Sequence, residues 1–175
     1  DQARKIITDH SDVLVRMAEA LLEREVLDGD VIRTNLSKGL GCPVGAVLAG
    51  SKSFIDKAWR WKQRMGGAMR QVGVIAAPGI VALETMVERL AEDHSNARKL
   101  AIGLSKVPGI SIDPDSLPTN LVFFTVPEGS SLELARSLGE QGIKVGPRED
   151  SMWRMVTHYG ITSVDIDHTL DVIET

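Results

Sequence analysis

The sequence predicts an α/β fold, and three observations predict it. Residues up to about 105 place apolar side chains at helical spacing over long stretches. Residues from 109 onward cluster β-branched and aromatic side chains in runs of strand length. Between them, a glycine-bearing loop at 36–43 leads into a short apolar run. The architecture expected is an amphipathic N-terminal helix, a long central helix and a small C-terminal α/β domain.

The elements follow in order. Ile6, Val13, Leu14, Met17, Leu21 and Leu22 recur at three- and four-residue steps, which predicts a helix over 2–25. Leu27-Asp28-Gly29-Asp30 reads as a turn, and Val31-Ile32 as the start of a strand or helix. The apolar run 44–49 (VGAVLA) reads as a buried strand. Ser53, with Asp56 three residues on, is placed to cap a helix that runs to Met65, and Gly66-Gly67 ends it. Residues 69–77 read as helix or turn. Pro78 suits a helix start, so a long helix is expected over about 79–105. Strands are then expected at 109–113 and 120–126, a helix at 130–139, strands at 143–146 and 152–158, and a helix at 162–173 capped by Thr162 and Asp165. That β-β-α-β-β-α order suits one sheet with helices on one face.

Composition excludes several classes. Of 175 residues 43% are hydrophobic and 25% charged, a globular balance, and the net charge of −4 is unlike a nucleic-acid binder. The cations at Lys57, Arg60, Lys62, Arg64 and Arg70 read as a solvated helix face. Cys42 is the single cysteine, so no disulfide forms within the chain, which favours a reducing, cytoplasmic setting. The histidines at 10, 94, 158 and 168 are scattered, which argues against a metal site. No run is long enough to cross a membrane. No signal peptide is expected, and a chain that starts on Asp1 reads as trimmed or excised.

Lys38, in Leu36-Ser37-Lys38-Gly39-Leu40-Gly41, is the residue with the clearest chemical potential. Small neighbours let the backbone approach a bound ring, and a partly desolvated amine would be free to attack a carbonyl. The tripeptide alone is a weak signal and fits a solvated loop lysine better. The spacing excludes a phosphate loop of the GxxxxGK[ST] type. Cys42 beside it reads as packing, and His158 near a strand end as structural.

Longer stretches sharpen this. SKGLGCPVGAVLAGS (37–51), RWKQRMGGAMRQVGVIAA (60–77), MVERLAEDHSNARKLAIGL (86–104), TNLVFF (119–124) and VTHYGIT (156–162) resemble the pyridoxal-phosphate (PLP) dependent threonine aldolases, in the β-eliminating lyase group of the aspartate-aminotransferase-like superfold. The resemblance covers 34–175 and implies a partial PLP-transferase-like fold. It also implies that Lys38 binds PLP covalently, that Arg154 holds the substrate carboxylate, and that Arg70 lies near the cofactor cleft. A guanidinium suits the Arg154 role because it grips a carboxylate with two parallel hydrogen bonds. The implied reaction is carbon–carbon cleavage of a β-hydroxy amino acid to glycine and an aldehyde, in a homo-oligomer, with no nucleic-acid or membrane partner.

The same resemblance implies a shortfall. In the family the acid paired with the ring nitrogen, the stacking histidine and the phosphate-holding loop precede the lysine. Only 37 residues precede Lys38. Residues 3–33 instead resemble the C-terminal helical segment of membrane-bound AAA+ zinc proteases, which implies a chimera joined near 32–35. The expected division is therefore 1–33 of other origin, 34–106 a remnant of the PLP-binding domain, and 107–175 the small domain. Two functions are expected: a lyase incomplete in this chain, or a non-catalytic module derived from one, acting through folding or oligomer contacts.

Overall fold

The computed structural model describes residues 31–149 and 151–174; the N-terminal helix expected over 2–25 lies outside them. The chain divides into two compact units that part between Arg89 and Leu90.

In the first unit, strands β1 (Val31–Asn35) and β2 (Ala46–Gly50) pair antiparallel, with Thr34 opposite Val47. The run read as a buried strand is half-exposed. Its burial alternates along β2 and Leu48 faces solvent, as expected of a strand covered on one side. Helix α1 (Lys52–Arg64) follows at once. Its cap is Ser51 rather than Ser53: the Ser51 hydroxyl accepts from the Phe54 N–H at 3.3 Å. No residue of α1 is buried.

Helix α2 (Gly73–Thr85) corrects the long helix expected from 79 to 105. Pro78 sits inside α2, not at its start. The first turn forms upstream, where the Ile75 and Ala76 N–H groups both bond the Val72 carbonyl. A proline at the sixth position leaves only one carbonyl, that of Val74, without its helical donor. α2 stops at Thr85, and α3 (Leu90–Leu104) begins after a turn at 86–89. Met86, Val87, Glu88 and Arg89 contain neither glycine nor proline, so nothing local marked the break.

The second unit is a three-stranded antiparallel sheet, order β3-β5-β4, with β3 Leu121–Thr125, β4 Pro147–Glu149 and β5 Met152–Val156. Helices α3, α4 (Ser131–Glu140) and α5 (Ser163–Glu174) supply its remaining elements. Residues 109–113 do not form a strand; they make one bridge, Ser111 to Thr125. The strand expected at 143–146 lies instead at 147–149.

Period-two alternation along β3 and β5 sends Val122, Phe124, Trp153 and Met155 inward, onto Ala97, Leu100, Ala101 and Leu104 of α3, Leu138 of α4 and Ile166 of α5. All are buried, and each large side chain contributes about 1.5–3 kcal/mol relative to exposure. The Phe124 and Trp153 rings lie 5.9 Å apart, and the Trp153 indole N–H donates to Ser131 Oγ at 3.1 Å, so its one polar group is satisfied. Thr162 and Asp165 cap α5 as expected, each accepting from the other's N–H.

Candidate active site: the lysine loop

Residues 36–45 form the connection between β1 and β2, and backbone bonds close it. The Leu36 N–H donates to the Gly45 carbonyl at 3.0 Å, Cys42 N–H to the Leu36 carbonyl at 3.0 Å, and Gly41 N–H to the Lys38 carbonyl at 2.9 Å. Leu36, Leu40 and Cys42 are buried beneath the loop, while Ser37 and Lys38 stand exposed above it. Alternating buried and exposed residues across so short a loop fix which way the lysine points.

Two glycines make that closure possible. Gly41 has φ +71°, and Gly45 has φ +124°, a region where side chains are strained. A Cβ at Gly45 would also stand 2.9 Å from Ile75 Cγ2 of α2. Leu36 reaches the same helix, with Cδ1 3.0 Å from where a Cβ at Gly79 would lie. The Cys42 thiol donates to the Pro78 carbonyl at 3.4 Å. Burial pushes that thiol's pKa up, so it is a packing group rather than a nucleophile. The loop is thus seated on α2 by Leu36, Cys42 and the bare faces of two glycines.

Lys38 is exposed. Arg70 lies in the turn after α1, exposed and with no ion pair among the described residues. Arg154 belongs to the second unit. It sits on β5 opposite Phe123, on the sheet's outward face with Met152 and Val156. His158 is exposed, its Nδ1 2.8 Å from the Tyr159 carbonyl oxygen.

A set of polar residues just beyond Arg154 was not anticipated. Buried Thr157 donates its hydroxyl to the Asp93 carbonyl at 2.6 Å, and Asn120 Nδ2 donates to the Thr157 carbonyl. Buried Asn96 donates to the Ile161 carbonyl at 3.0 Å. Together they anchor the chain leaving β5 to α3. The signal in the sequence was polar residues at core positions of an otherwise apolar pattern.

Among known proteins, the family model for beta-eliminating lyases matches residues 17–127, more than half of the chain. This chain belongs to the beta-eliminating lyase family. The family match runs across 32–35, where a junction with a foreign segment was expected, and begins fifteen residues before it. The low-specificity L-threonine aldolase 1 of Arabidopsis thaliana is 40% identical over 148 residues, 83% of this chain and 41% of its own length. The Escherichia coli K12 low specificity L-threonine aldolase is 38% identical over 127 residues, 73% and 37%. A solved Listeria monocytogenes structure, assigned as an L-allo-threonine aldolase, superposes with a TM-score of 0.68 at 19% identity, covering 83% of this chain and 44% of its own. That likeness establishes the fold, a partial PLP-transferase-like α/β fold. The chain spans about two fifths of the length of the relatives it matches.

The lysine loop fits a covalently held cofactor in one respect. It offers a primary amine, exposed, on backbone closed by hydrogen bonds and seated on a helix. Residues 31–89 contain no histidine, and their acids are only Asp56, Glu84 and Glu88. Asp56 is taken by Lys52 at 2.7 Å. A primary amine is present; a stacking imidazole is not contributed by this stretch.

Proposed function

We propose that this chain carries the lysine-bearing part of a PLP-dependent carbon–carbon lyase of the threonine aldolase type, converting a β-hydroxy amino acid to glycine and an aldehyde. The observation that carries the reading is the closed β1–β2 loop, which holds Lys38 exposed above buried Leu36, Leu40 and Cys42. The relatives' names support the reaction class. When bound, PLP supplies an electron sink that lets the bond between Cα and Cβ of the substrate break.

In this reading Lys38 holds the cofactor covalently and Arg70 contributes a positive charge toward it. Arg154 grips the substrate carboxylate through two N–H groups. Residues 34–106 are then the remnant of the cofactor domain and 107–175 the small domain. The working setting is a cytoplasmic homo-oligomer. A second ancestry for residues 3–33 now rests chiefly on residues 3–16, which precede the family match.

The test is to incubate the chain with PLP, reduce with borohydride and map the modified lysine by mass spectrometry. Modification concentrated on the Lys38 peptide, and abolished in Lys38→Ala, supports the reading. Modification spread evenly over surface lysines overturns it.

A second reading, a non-catalytic folding or oligomerisation module, is favoured by one observation. Trp59, Trp61, Met65 and Val74 are all more than half exposed. Dialysis separates the two. A PLP absorption band that survives it, with aldehyde released from threonine, excludes the module; no retained band excludes the enzyme.

A further inference from the structure

A hollow of about 420 Å³ opens in the second unit between α3 and α5. Its floor is apolar and is made by Ile102 and Gly103 of α3 with Leu170 of α5. Leu170 lies against the bare backbone at Gly103, which carries the floor from one helix to the other. The remaining lining is polar, and every charged group in it is a cation: Arg98 and Lys99 on α3, and Lys106 just past its last residue. Ser95, Arg98, Ile102 and Lys106 recur at steps of three and four, so they follow one face of the helix. None of these residues belongs to the lysine loop. Arg154 lies on the sheet's outward face, whereas α3 and α5 pack on its inward face.

The three cations differ in what they have left to give. Lys99 Nζ is held by Asp167, by the Ser163 hydroxyl at 2.7 Å and by the Ser163 carbonyl at 3.0 Å. Those partners use all the donors of an ammonium group. Arg98 gives one N–H to Asp115 at 3.2 Å, and its guanidinium keeps others. Lys106 is exposed and has no ion pair among the described residues. Two acids thus balance two of the cations, and the positive charge of Lys106 is left over.

An apolar floor beside one uncompensated cation selects a class of ligand. We propose that the hollow between α3 and α5 is a binding site for a small monocarboxylate with an apolar body, of the alkanoate type. The carboxylate meets Lys106 in a charge-assisted hydrogen bond. The hydrocarbon body lies on Ile102 and Leu170 and is taken out of water there. Arg98, one turn beyond Ile102, keeps the far rim positive. A neutral alcohol of the same length lacks the charge, and acetate lacks the body. The site is independent of the reading of Lys38, because it uses no residue of the lysine loop.

The test is to titrate hexanoate into the full isotope-labelled chain and follow its amide signals by NMR. Shifts that saturate at Ile102, Gly103 and Leu170 are expected, and added salt should weaken them. Hexanol and acetate should bind more weakly than hexanoate. Lys106→Gln should weaken hexanoate about fivefold, the upper end for one exposed charge contact. Lys144→Gln, at an exposed lysine outside the hollow, should leave it unchanged. Ile102→Glu is the second variant, and is read in place of Lys106→Gln if that change perturbs folding. Ile102 is 39% exposed, so a carboxylate there is tolerated and should abolish binding. Four results overturn the proposal. They are no saturable shift, saturation indifferent to both variants, hexanol binding as tightly as hexanoate, and acetate binding as tightly as hexanoate. Hexanol matching hexanoate would leave only an apolar hollow, and acetate matching it only a surface cation.

Discussion

Gly103 of α3 and Leu170 of α5 meet with no room for a methyl group between them. A Cβ at position 103 would overlap both Leu170 methyls and come within 2.9 Å of its Cγ. The two helices approach this closely only because residue 103 has no side chain.

Gly103→Ala therefore sets two effects against each other. Alanine favours the helix by about 1 kcal/mol. Forcing Leu170 away from the core residues it packs on costs about 1–3 kcal/mol. The expected net is destabilisation by about 1 kcal/mol, measured by urea unfolding. Adding Leu170→Ala should make the Gly103→Ala change favourable; strictly additive effects would show that the two residues do not share this contact.

Two buried threonines should respond oppositely to valine. Thr34 is 3% exposed and its hydroxyl has no hydrogen-bond partner among the described residues. Removing an unpaired buried hydroxyl relieves a desolvation cost, so Thr34→Val should stabilise by about 1 kcal/mol. Thr157 is 1% exposed and its hydroxyl is bonded to the Asp93 carbonyl. Thr157→Val should destabilise by about 1 kcal/mol. Thermal melts that moved both variants in the same direction would contradict this assignment.

The α5 cap makes stability depend on acid pH. The Thr162 N–H and hydroxyl both donate to Asp165 Oδ2 at 2.7 Å, and with a smaller contribution from His168 they hold that carboxyl below its usual value. A lowered native pKa means the cap's contribution is complete above the unfolded value of about 3.9. It is lost as pH falls through the lowered native value. Unfolding measured from pH 6 to pH 2 should weaken over that window. Asp165→Asn should flatten the loss, and an unchanged slope would remove Asp165 from the account.

The second unit was the more legible half. The strands at 121–125 and 152–156 fall inside the stretches 120–126 and 152–158 read as strands, and Thr162 with Asp165 announced the last cap. Local chemistry was sufficient there because each signal acts within a few residues. Where the outcome depended on distant partners, the expectation shifted. Residues 109–113 have strand composition but pair only once, through Ser111, and Ser51 displaced Ser53 as the cap of α1. The lysine loop was legible as a motif, not as a geometry.

What the sequence determined by itself is the chemistry available: an amine at Lys38 between small residues, guanidinium groups at Arg70 and Arg154, and the alternation that builds one core. These depend on residue identity and spacing, which are local. Tertiary structure decided the rest. It placed Pro78 inside α2, so that its carbonyl receives the Cys42 thiol, and it ended that helix at Thr85 without a breaker. It left Lys38 exposed while burying Leu36 and Leu40. The physical reason is that burial is a property of what packs against a residue. The loop's direction was settled by Gly45 and Gly79 giving way to Ile75 and Leu36, contacts far apart in sequence.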